Sequence, residues 1–278
     1  MAGRLSIVAT PIGCLEDITL RALRVLREAE LILAEDTRHT RTLCAKHGID
    51  TPLRSFHAHS SDEKVAAVVD ALRGGARFAL VSDAGTPLVS DPGAHLVSLA
   101  AKAGVTIEAI PGPSAVLAAL CVAGFRVRRF SFEGFLARGG KERRQAFDRM
   151  RDSEAAVVFF ESPHRIQATL RDLEEHVGVD REVAVCRELT KIHEQTLRGP
   201  LPEVRGALAD PPKGEITVVL EGKRSDRPAE DVDVAALVNG WKRDGMTNKE
   251  MAERLRDDFG WKRNAAYQAV LDATSNDD

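Results

Sequence analysis

Three segments rich in Gly, Pro and small polar residues occur within the first 115 positions: residues 9–13, 82–93 and 110–115. Each directly follows a short apolar run, and the loops that leave strand ends are where α/β proteins place ligands. Glycine lets a ligand approach the backbone, proline stiffens the loop, and an Asp carboxylate can hold a ribose or an amino group. One such loop alone can be a tight turn that caps a helix. Three in one half of the chain indicate a shared ligand.

The common nucleotide, hydrolase and metal signatures do not occur in the sequence. There is no G-x-G-x-x-G after the first apolar run, no G-x-x-x-x-G-K-[ST] and no G-x-S-x-G. His and Cys residues do not cluster with the spacing of a metal site. The sequence therefore disfavours a Rossmann dinucleotide site, a P-loop, a hydrolase elbow and a zinc centre, and it predicts no metal.

The composition is that of an ordinary globular protein. Among 278 residues, 44% are hydrophobic, and 39 Lys and Arg oppose 42 Asp and Glu for a net charge of −3. The four cysteines lie far apart, which favours a reducing cytoplasm. The first residues lack the pattern of a secretion signal, and no apolar run reaches the length of a membrane span. We therefore expect a cytoplasmic protein with no membrane contact.

One segment departs from this balance. Residues 126–151 contain nine basic and three acidic residues, a local charge of +6. Phe130, Phe132 and Phe135 interleave with the cations, and their alternation is typical of the core face of a strand. The following stretch, 138–141, reads as a flexible loop whose cations could contact phosphates.

The arrangement of apolar runs predicts an α/β fold. Short runs rich in Val, Ile and Phe alternate with helical periodicity, and the length indicates two such domains, at 1–124 and 125–222. Residues 223–278 read as a polar linker followed by helices, with a capping box at Thr247 and Glu250. Strands are expected at 5–9, 31–35, 78–83, 105–111, 129–135, 155–161, 181–188 and 215–221. Ser162 followed by Pro163 predicts a helix that begins at Pro163.

An ordered set of motifs resembles the tetrapyrrole-methylase superfamily, and within it the bacterial 16S ribosomal RNA cytidine 2′-O-methyltransferases. The resemblance covers about residues 4–222. The motifs are Thr10-Pro11-Ile12-Gly13, Glu35-Asp36-Thr37-Arg38, residues 82–93, Pro111-Gly112-Pro113-Ser114, Phe160-Glu161-Ser162-Pro163-His164-Arg165 and Arg187-Glu188-Leu189-Thr190-Lys191.

This resemblance implies a two-domain tetrapyrrole-methylase-like fold, with S-adenosylmethionine in a cleft between the domains and a small helical C-terminal extension. It also implies a homodimer that methylates a cytidine ribose of 16S rRNA in the small ribosomal subunit. The residues it assigns to the cofactor are Pro11, Asp83, Gly85, Thr86, Pro87, Leu88, Val89, Ser114, Ala115, Phe160, Leu189, Glu215 and Ile216.

The chain departs from the family pattern in two places. Cys14 stands where the family usually has Asn after Thr-Pro-Ile-Gly, and Ser60-Ser61-Asp62-Glu63 replaces the usual Asn-Glu after His59. A polar contact from the first position is therefore not expected here. A role of the acidic residue at the second could fall on Asp62, on Glu63 or on neither.

Methyl transfer to a ribose hydroxyl is an in-line displacement that also requires removal of the hydroxyl proton. Candidate catalytic residues are Glu161, His164 and Lys191. The first two could instead only cap and order the helix expected at Pro163. Lys191 could be a base of depressed pKa, a phosphate contact or a solvated loop lysine. The sequence does not choose among the three.

Candidate RNA-binding residues lie in the first half and in the basic segment. His57 and His59 are two apart on an extended stretch and share a side, and an ordinary polar loop is the alternative. Arg38 could instead form a local ion pair with Asp36. The remaining candidates are Arg138, Lys141, Arg143 and Arg144.

Two other functions stay open at this point. The same fold could methylate a tetrapyrrole or a diphthamide precursor on a protein. A non-catalytic RNA-binding assembly factor could also retain the fold. The Glu-Asp-Thr-Arg and Phe-Glu-Ser-Pro-His-Arg stretches and the basic loop favour the rRNA methyltransferase.

Overall fold

A computed structural model describes residues 3–57, 60–89, 93–209, 211–223, 233–259, 261 and 263–275. The chain divides into two compact units, Met1–Gly222 and Lys223–Asp278. The first unit contains two five-stranded sheets with helices between their strands, and the described part of the second consists of helices. The predicted α/β class and the helical C-terminal extension are therefore confirmed.

The first sheet is parallel throughout and has the strand order β3-β2-β4-β1-β5. Its strands alternate with helices, as a parallel sheet requires because each crossover must return to the starting edge. The strands are β1 Arg4–Val8, β2 Leu31–Ala34, β3 Leu53–Ser55, β4 Arg77–Val81 and β5 Thr106–Ile110. The helices are α1 Leu20–Glu28, α2 Thr37–Lys46, α3 Asp62–Arg73, α4 Ala94–Lys102 and α5 Ala115–Val122.

Helices cover both faces of the first sheet. Leu5 of β1 packs with Leu72 of α3 and Leu96 of α4 on one face, and Val8 packs with Leu26 of α1 on the other. Burial on both faces explains why the inner strands are nearly unbroken apolar runs without polar alternation.

The second sheet is mixed and has the order β6-β7-β10-β8-β9. Strands β6 and β7 are parallel, and the remaining pairs are antiparallel. The strands are β6 Phe130–Phe135, β7 Ala156–Glu161, β8 Glu182–Arg187, β9 Gln195–Pro200 and β10 Ile216–Leu220. The helices are α6 Gly140–Asp152, α7 Ile166–Val177 and α8 Leu201–Ala207.

The two faces of the second sheet bury different partners. Phe159 faces the helices α6, α7 and α8, where it packs in the same cluster as Phe147 and Leu170. Val158, the preceding residue, belongs to a cluster that contains Val116 and Ala119 of α5. Helix α5 therefore packs on the second sheet although it follows the last strand of the first. The domain boundary expected near Gly124 stays a prediction.

The second unit contains three described helices, α9 Val234–Arg243, α10 Asn248–Phe259 and α11 Arg263–Ser275. Trp241, Leu255 and Val270, one from each helix, are buried in its apolar core. The predicted capping box is present: Thr247 N donates to Glu250 Oε2 at 2.7 Å, and Glu250 N donates to Thr247 Oγ1 at 3.3 Å. None of the helices in the described ranges is both long and apolar enough to cross a bilayer.

One predicted helix start is wrong. Helix α7 begins at Ile166 and not at Pro163. The backbone N–H groups of Arg165 and Ile166 both donate to the carbonyl of Ser162, so residues 163–165 form a turn that precedes the helix. Ser162 and Pro163 are thereby available to the site described below.

Replacing Phe159 tests the packing of the second sheet. Its side chain is 0% exposed, so Phe159→Ala should lower the free energy of unfolding by about 3–5 kcal/mol, measured by urea denaturation of the full chain. Phe130→Ala is the matched control, because Phe130 is 45% exposed on the neighbouring strand. Equal losses in the two variants would contradict this account of the core.

Candidate active site at the carboxyl edge of the first sheet

The three glycine- and proline-rich segments meet at one edge of the first sheet. They follow β1, β4 and β5, and β1 lies between the other two strands. Because the strands are parallel, residues 9–13, 82–89 and 110–115 leave them on the same side. Such an edge is the usual ligand position in an open α/β sheet. Residues 90–92 of the second segment lie outside the described part.

Backbone hydrogen bonds join the first two segments. Thr10 N donates to the carbonyl of Gly85 at 2.9 Å, and Gly85 N donates to the carbonyl of Thr10 at 3.0 Å. Gly85 has a φ of +76°, a conformation that strongly favours glycine. The side chain of Thr86 then reaches the third segment by donating to the carbonyl of Pro113 at 3.1 Å. The three loops thus form one connected rim.

A fourth segment joins the same rim. Glu35 and Asp36 follow β2, the neighbour of β4, and Asp36 N donates to Asp83 Oδ1 at 2.9 Å. This bond holds the Asp83 carboxylate at the end of β4 and leaves its other oxygen available. Two motifs that are 47 positions apart in sequence are therefore adjacent in the fold.

A cavity of about 440 Å³ lies between this rim and the carboxyl end of β7 with the start of β10. Its volume is in the range of small-molecule sites, about 300–1,000 Å³. The described residues that line it include four acidic residues, Glu35, Asp83, Glu161 and Glu215, and no Lys or Arg. The side chain of Glu161 is fully buried behind this wall. Apolar side chains from both sheets complete the wall. The cavity therefore suits a ligand that has both a cationic and an apolar part.

Nine of the thirteen predicted cofactor residues line this cavity. They are Asp83, Gly85, Thr86, Val89, Ser114, Ala115, Phe160, Glu215 and Ile216. Their roles toward a ligand stay a prediction.

The other four predicted cofactor residues do not line the cavity, and each has a physical reason. Pro11 lines a separate pocket of about 80 Å³. Pro87 is buried in its loop. Leu88, with a φ of +74°, packs against the core between the first sheet and α3 and α4. Leu189 is 7% exposed and belongs to the cluster around α5.

The cavity also has lining residues that the sequence did not single out. Glu35, Ser162 and Pro163 belong to motifs of the family resemblance, so the motif itself was the available signal. Phe135 had no such signal, because the phenylalanines of this segment were expected to be core residues of a strand. The remaining ones are Ile12, Ala84, Val116, Gly214 and Thr217.

Glu161 is the candidate catalytic residue that reaches the cavity. Its side chain is 0% exposed, and both oxygens are engaged: Oε1 accepts from Ser162 N at 2.8 Å, and Oε2 accepts from Thr169 Oγ1 at 2.7 Å. The Arg165 guanidinium lies 3.4 Å from Oε1. His164, in contrast, is exposed on the turn before α7 and is not among the lining residues.

Arg143 was predicted to bind RNA, and the structure contradicts this prediction. Its side chain is 10% exposed and forms an ion pair with Asp172 at 2.7 Å. It also donates to Thr169 Oγ1 at 3.0 Å and to the carbonyl of Ala137 at 3.0 Å. A guanidinium that is consumed by internal partners cannot also contact a phosphate. Through Thr169 it instead supports Glu161.

Lys191 lies in an ion cluster and not in the cavity. Its Nζ is 2.9 Å from Glu188 Oε1 and 3.0 Å from Glu215 Oε2. Burial lowers the pKa of Lys191, but its hydrogen bonds to the two glutamates and their charges outweigh this effect, so the pKa is raised. The interpretation as a base of depressed pKa is therefore wrong.

The loop that carries Lys191 has a strained backbone. Glu188 and Thr190 have φ values of +53° and +64°, which non-glycine residues rarely adopt. Gly214 has a φ of +89°, which favours glycine, and a Cβ there would lie 2.2 Å from the Glu188 side chain and displace it. The hydrogen bond from Lys191 lowers the pKa of Glu188. These contacts place Glu215 at the cavity wall.

The candidates for RNA contact in the first half are at the surface. Arg38 is 85% exposed at its side chain and pairs with Asp36 at 2.7 Å, so the local ion pair considered above is present. The hydrogen bond from Arg38 lowers the pKa of Asp36 to about 2. His57 is exposed. His59 lies outside the described residues.

The basic segment separates into paired and free cations. Arg129 pairs with Glu154, Arg149 with Glu133, and Arg151 with Asp148 and Asp152. Among the residues that the structure describes, Arg138, Lys141 and Arg144 have no ion-pair partner, and all three are exposed. Arg138 lies in the loop between β6 and α6, whereas Lys141 and Arg144 lie at the start of α6, so the loop expected over 138–141 ends at Gly139.

Residues 4–205 match the family model described as Tetrapyrrole (Corrin/Porphyrin) Methylases. The chain belongs to the tetrapyrrole methylase family. A Thermotoga maritima protein named Ribosomal RNA small subunit methyltransferase I is 48% identical over 222 residues, which are 80% of this chain and 99% of the relative. A Pasteurella multocida protein of the same name is 39% identical over 275 residues, 98% of each chain.

Solved structures support the same fold. Uroporphyrin-III C-methyltransferase from Thermus thermophilus, complexed with S-adenyl homocysteine, covers 78% of this chain and 97% of its own, with a TM-score of 0.56 and 20% identity. The predicted tetrapyrrole-methylase-like fold is confirmed. The carboxyl-edge cavity is accordingly a site on a tetrapyrrole methylase fold.

The ion pair between Glu188 and Lys191 should make the free energy of unfolding of this tetrapyrrole methylase depend on pH. Folding lowers the pKa of Glu188. The stabilisation from the ion pair is therefore fully present above the unfolded pKa of about 4.3 and is lost as pH falls through the folded pKa. Glu188→Gln should therefore be less stable than the parent at pH 7, with a difference that shrinks below about pH 4. Urea unfolding at several pH values measures this.

Glu16→Gln is the control for that series, because Glu16 is exposed and forms no ion pair with any of the described residues. Its stability difference from the parent should stay near zero at every pH. A Glu188→Gln difference that is constant from pH 7 to pH 3 would argue against the ion pair.

Proposed function

We propose that this chain transfers a methyl group from S-adenosylmethionine to the 2′-hydroxyl of a cytidine in 16S rRNA of the small ribosomal subunit. The observation that carries the proposal is the carboxylate-lined cavity of about 440 Å³, in a chain 48% and 39% identical to proteins named Ribosomal RNA small subunit methyltransferase I. The choice of a cytidine ribose rests on the motif resemblance.

The cavity residues fit S-adenosylmethionine. The cofactor supplies an electrophilic methyl group on a sulfonium, so its reactive end is cationic. Carboxylates such as Asp83 and Glu35 favour that charge and the ammonium of the methionine part, whereas Phe160 and Ile216 offer an apolar surface for the adenine. The glycine at position 85 allows close approach to the backbone.

Glu161 is the proposed residue for handling the ribose proton. Of the three candidates it alone lines the cavity, whereas His164 is exposed and Lys191 is held by two glutamates. Thr169 and Ser162 N fix its two oxygens, so the carboxylate has a defined orientation. Because this carboxylate is 0% exposed, it can take up the proton only after a local movement, such as displacement of Ser162, brings it to the attacking hydroxyl.

The substrate contact is proposed to involve the free cations of the β6–α6 loop and of the start of α6. Arg138, Lys141 and Arg144 are exposed and adjacent to the end of β6, which reaches the cavity at Phe135. Arg38 and His57 contribute from the first half. Phosphate contacts of this kind position RNA without reading its sequence.

We infer that the cavity is the cleft between an N-terminal domain at 1–124 and a second domain at 125–222, with 223–278 as linker and helical extension. We also infer a homodimer in the cytoplasm, where ribosomal subunits are assembled. Helix α5 supports the dimer, because it is apolar on all sides yet leaves Leu117 53% exposed. A helix of this composition is normally buried all round.

Cofactor binding tests the site. Asp83→Ala removes a carboxylate at the cavity wall. Gly85→Leu adds a side chain to a residue with a positive φ, and its Cβ would lie 3.4 Å from Ile12 Cγ2. Both should weaken S-adenosylmethionine binding by more than tenfold in calorimetry while the circular dichroism spectrum is retained. Asp180→Ala, an exposed residue distant in sequence from every lining segment, is the control. Unchanged affinity in both site variants would show that the cofactor binds elsewhere.

Transfer of a tritiated methyl group tests the substrate. Small subunits purified from a strain that lacks the gene should gain label in 16S rRNA, at a ribose 2′-oxygen, when incubated with the chain and labelled S-adenosylmethionine. Glu161→Gln should reduce the rate and leave the cofactor affinity within a fewfold of the parent. Label in a protein or a small molecule, with none in RNA, would refute the proposed function.

Removing the free cations tests the RNA contact. The combined variant Arg138→Gln, Lys141→Gln and Arg144→Gln should raise KM for the subunit. It should also reduce the slope of log KM against log salt concentration, by about 0.7–0.9 for each phosphate that the protein no longer neutralises. The combined variant Arg129→Gln, Arg149→Gln and Arg151→Gln removes the same charge from cations that are already paired with acidic residues, and it should change KM far less. Equal effects in the two variants would mean that overall charge, and not this loop, matters.

A further inference from the structure

Phe135 is a large aromatic residue that the structure does not bury. It ends β6 and is 61% exposed, although the phenylalanines of this segment were expected in the core of the strand. It also lines the cavity. The cofactor contacts proposed above involve other side chains, so they explain neither the exposure of Phe135 nor its position at the cavity.

A β-bulge turns Phe135 toward the cavity. Phe132 pairs with Val158 and Phe135 pairs with Phe160, so three steps along β6 correspond to two along β7. Gly134, within the extra step, has a φ of +64°. In a regular strand, residues an odd number apart face opposite sides. The extra residue reverses this rule and puts Phe135 on the same face as Phe132 and Phe160.

The aromatic neighbours hold Phe135 in place from one side. The ring centroids of Phe135 and Phe160 are 5.5 Å apart, and those of Phe132 and Phe160 are 5.0 Å apart in an edge-to-face arrangement. These separations are those of favourable aromatic pairs. One part of the Phe135 ring is therefore anchored, and the remainder is open to solvent at the cavity.

The surroundings of the open ring indicate what covers it. The three free cations, Arg138, Lys141 and Arg144, follow within nine positions, and the first two are in or next to the loop that leaves β6. An exposed aromatic ring beside unpaired cations is the combination that binds single-stranded nucleic acid, in which bases stack on the ring and phosphates contact the cations. The acidic cavity itself would repel the phosphates, so the backbone must remain outside it.

We propose that Phe135 is the stacking platform for an unpaired base of the RNA substrate, which it holds at the mouth of the cavity. Sequence-specific RNA contacts generally use such unstacked bases. The stacked base positions the neighbouring ribose so that its 2′-hydroxyl enters while the phosphates stay on the cationic loop. This inference rests on the proposed function and specifies how that substrate is held.

The test is Phe135→Ala, assayed with labelled S-adenosylmethionine and small subunits from a strain that lacks the gene. Losing one base–aromatic stack should lower kcat/KM for the subunit by about 5-fold to 150-fold. The affinity for S-adenosylmethionine should not change. Phe135→Trp should retain most of the activity, and Phe135→Leu, which keeps apolar volume without an aromatic face, should behave like the alanine variant.

Phe130→Ala is the matched control. Phe130 is 45% exposed and begins the same strand, but it does not line the cavity. This variant should retain the parent value of kcat/KM. Short-wavelength ultraviolet cross-linking of labelled 16S rRNA to the parent should be lost in Phe135→Ala and retained in Phe130→Ala.

Three results would overturn the inference. A weaker S-adenosylmethionine affinity in Phe135→Ala would assign the ring to the cofactor. A change in the molecular mass in solution would assign it to the contact with a second copy of the chain. Full activity in both Phe135→Ala and Phe135→Leu would assign it no role. If the parent itself transfers no label to RNA, the proposed function fails, which is a separate outcome from these three.

Discussion

The paired backbone hydrogen bonds between Thr10 and Gly85 are the constraint on which the site depends. The loops after β1 and β4 leave adjacent strands, but adjacency alone would allow each to move independently. The bridge fixes Gly85, and Thr86 then fixes the third loop through Pro113. Because the bridge uses only backbone groups, this part of the rim is determined by chain path and by glycine, whereas the link to the third loop also requires the Thr86 hydroxyl.

Charge is distributed unevenly around this rim. Four acidic residues line the cavity, and the free cations of the basic segment lie outside it, in the loop that leaves β6 and at the start of α6. The near-neutral total of −3 therefore conceals two surfaces of opposite sign. A cationic cofactor and a polyanionic substrate would each be attracted to a different surface, which separates the two binding steps in space.

Much of the fold could be predicted from the sequence because its inner strands are long apolar runs. Eight strands were expected within one or two residues of their positions, whereas β3 and β9 were missed. Both are edge strands, Leu53–Ser55 and Gln195–Pro200, and their partly exposed residues lack a clear apolar pattern. The meeting of the three loops was predictable for the same reason, since parallel strands end at one edge.

The site predictions were wrong where the direction of a side chain depends on tertiary contacts. The sequence indicated a free cation at Arg143, because its partner Asp172 is 29 positions away. Leu88 was predicted to contact the ligand, but it has a positive φ and its side chain packs in the core. The sequence grouped Phe135 with Phe130 and Phe132 as core residues, whereas the bulge at Gly134 places it beside Phe132 at the end of the strand, where it is 61% exposed. Each error concerns the direction of a side chain and not the location of its segment.

The packing of helix α5 limits how the two sheets of the first unit can move apart. It follows β5 of the first sheet, yet Val116 and Ala119 are buried against Val158 and Val219 of the second. A hinge that swung the two sheets apart would expose this shared apolar cluster to water, at a cost of about 25 cal/mol for each Å². Separating the two sheets is therefore costly, and local movement of the rim is the less costly way to open the cavity.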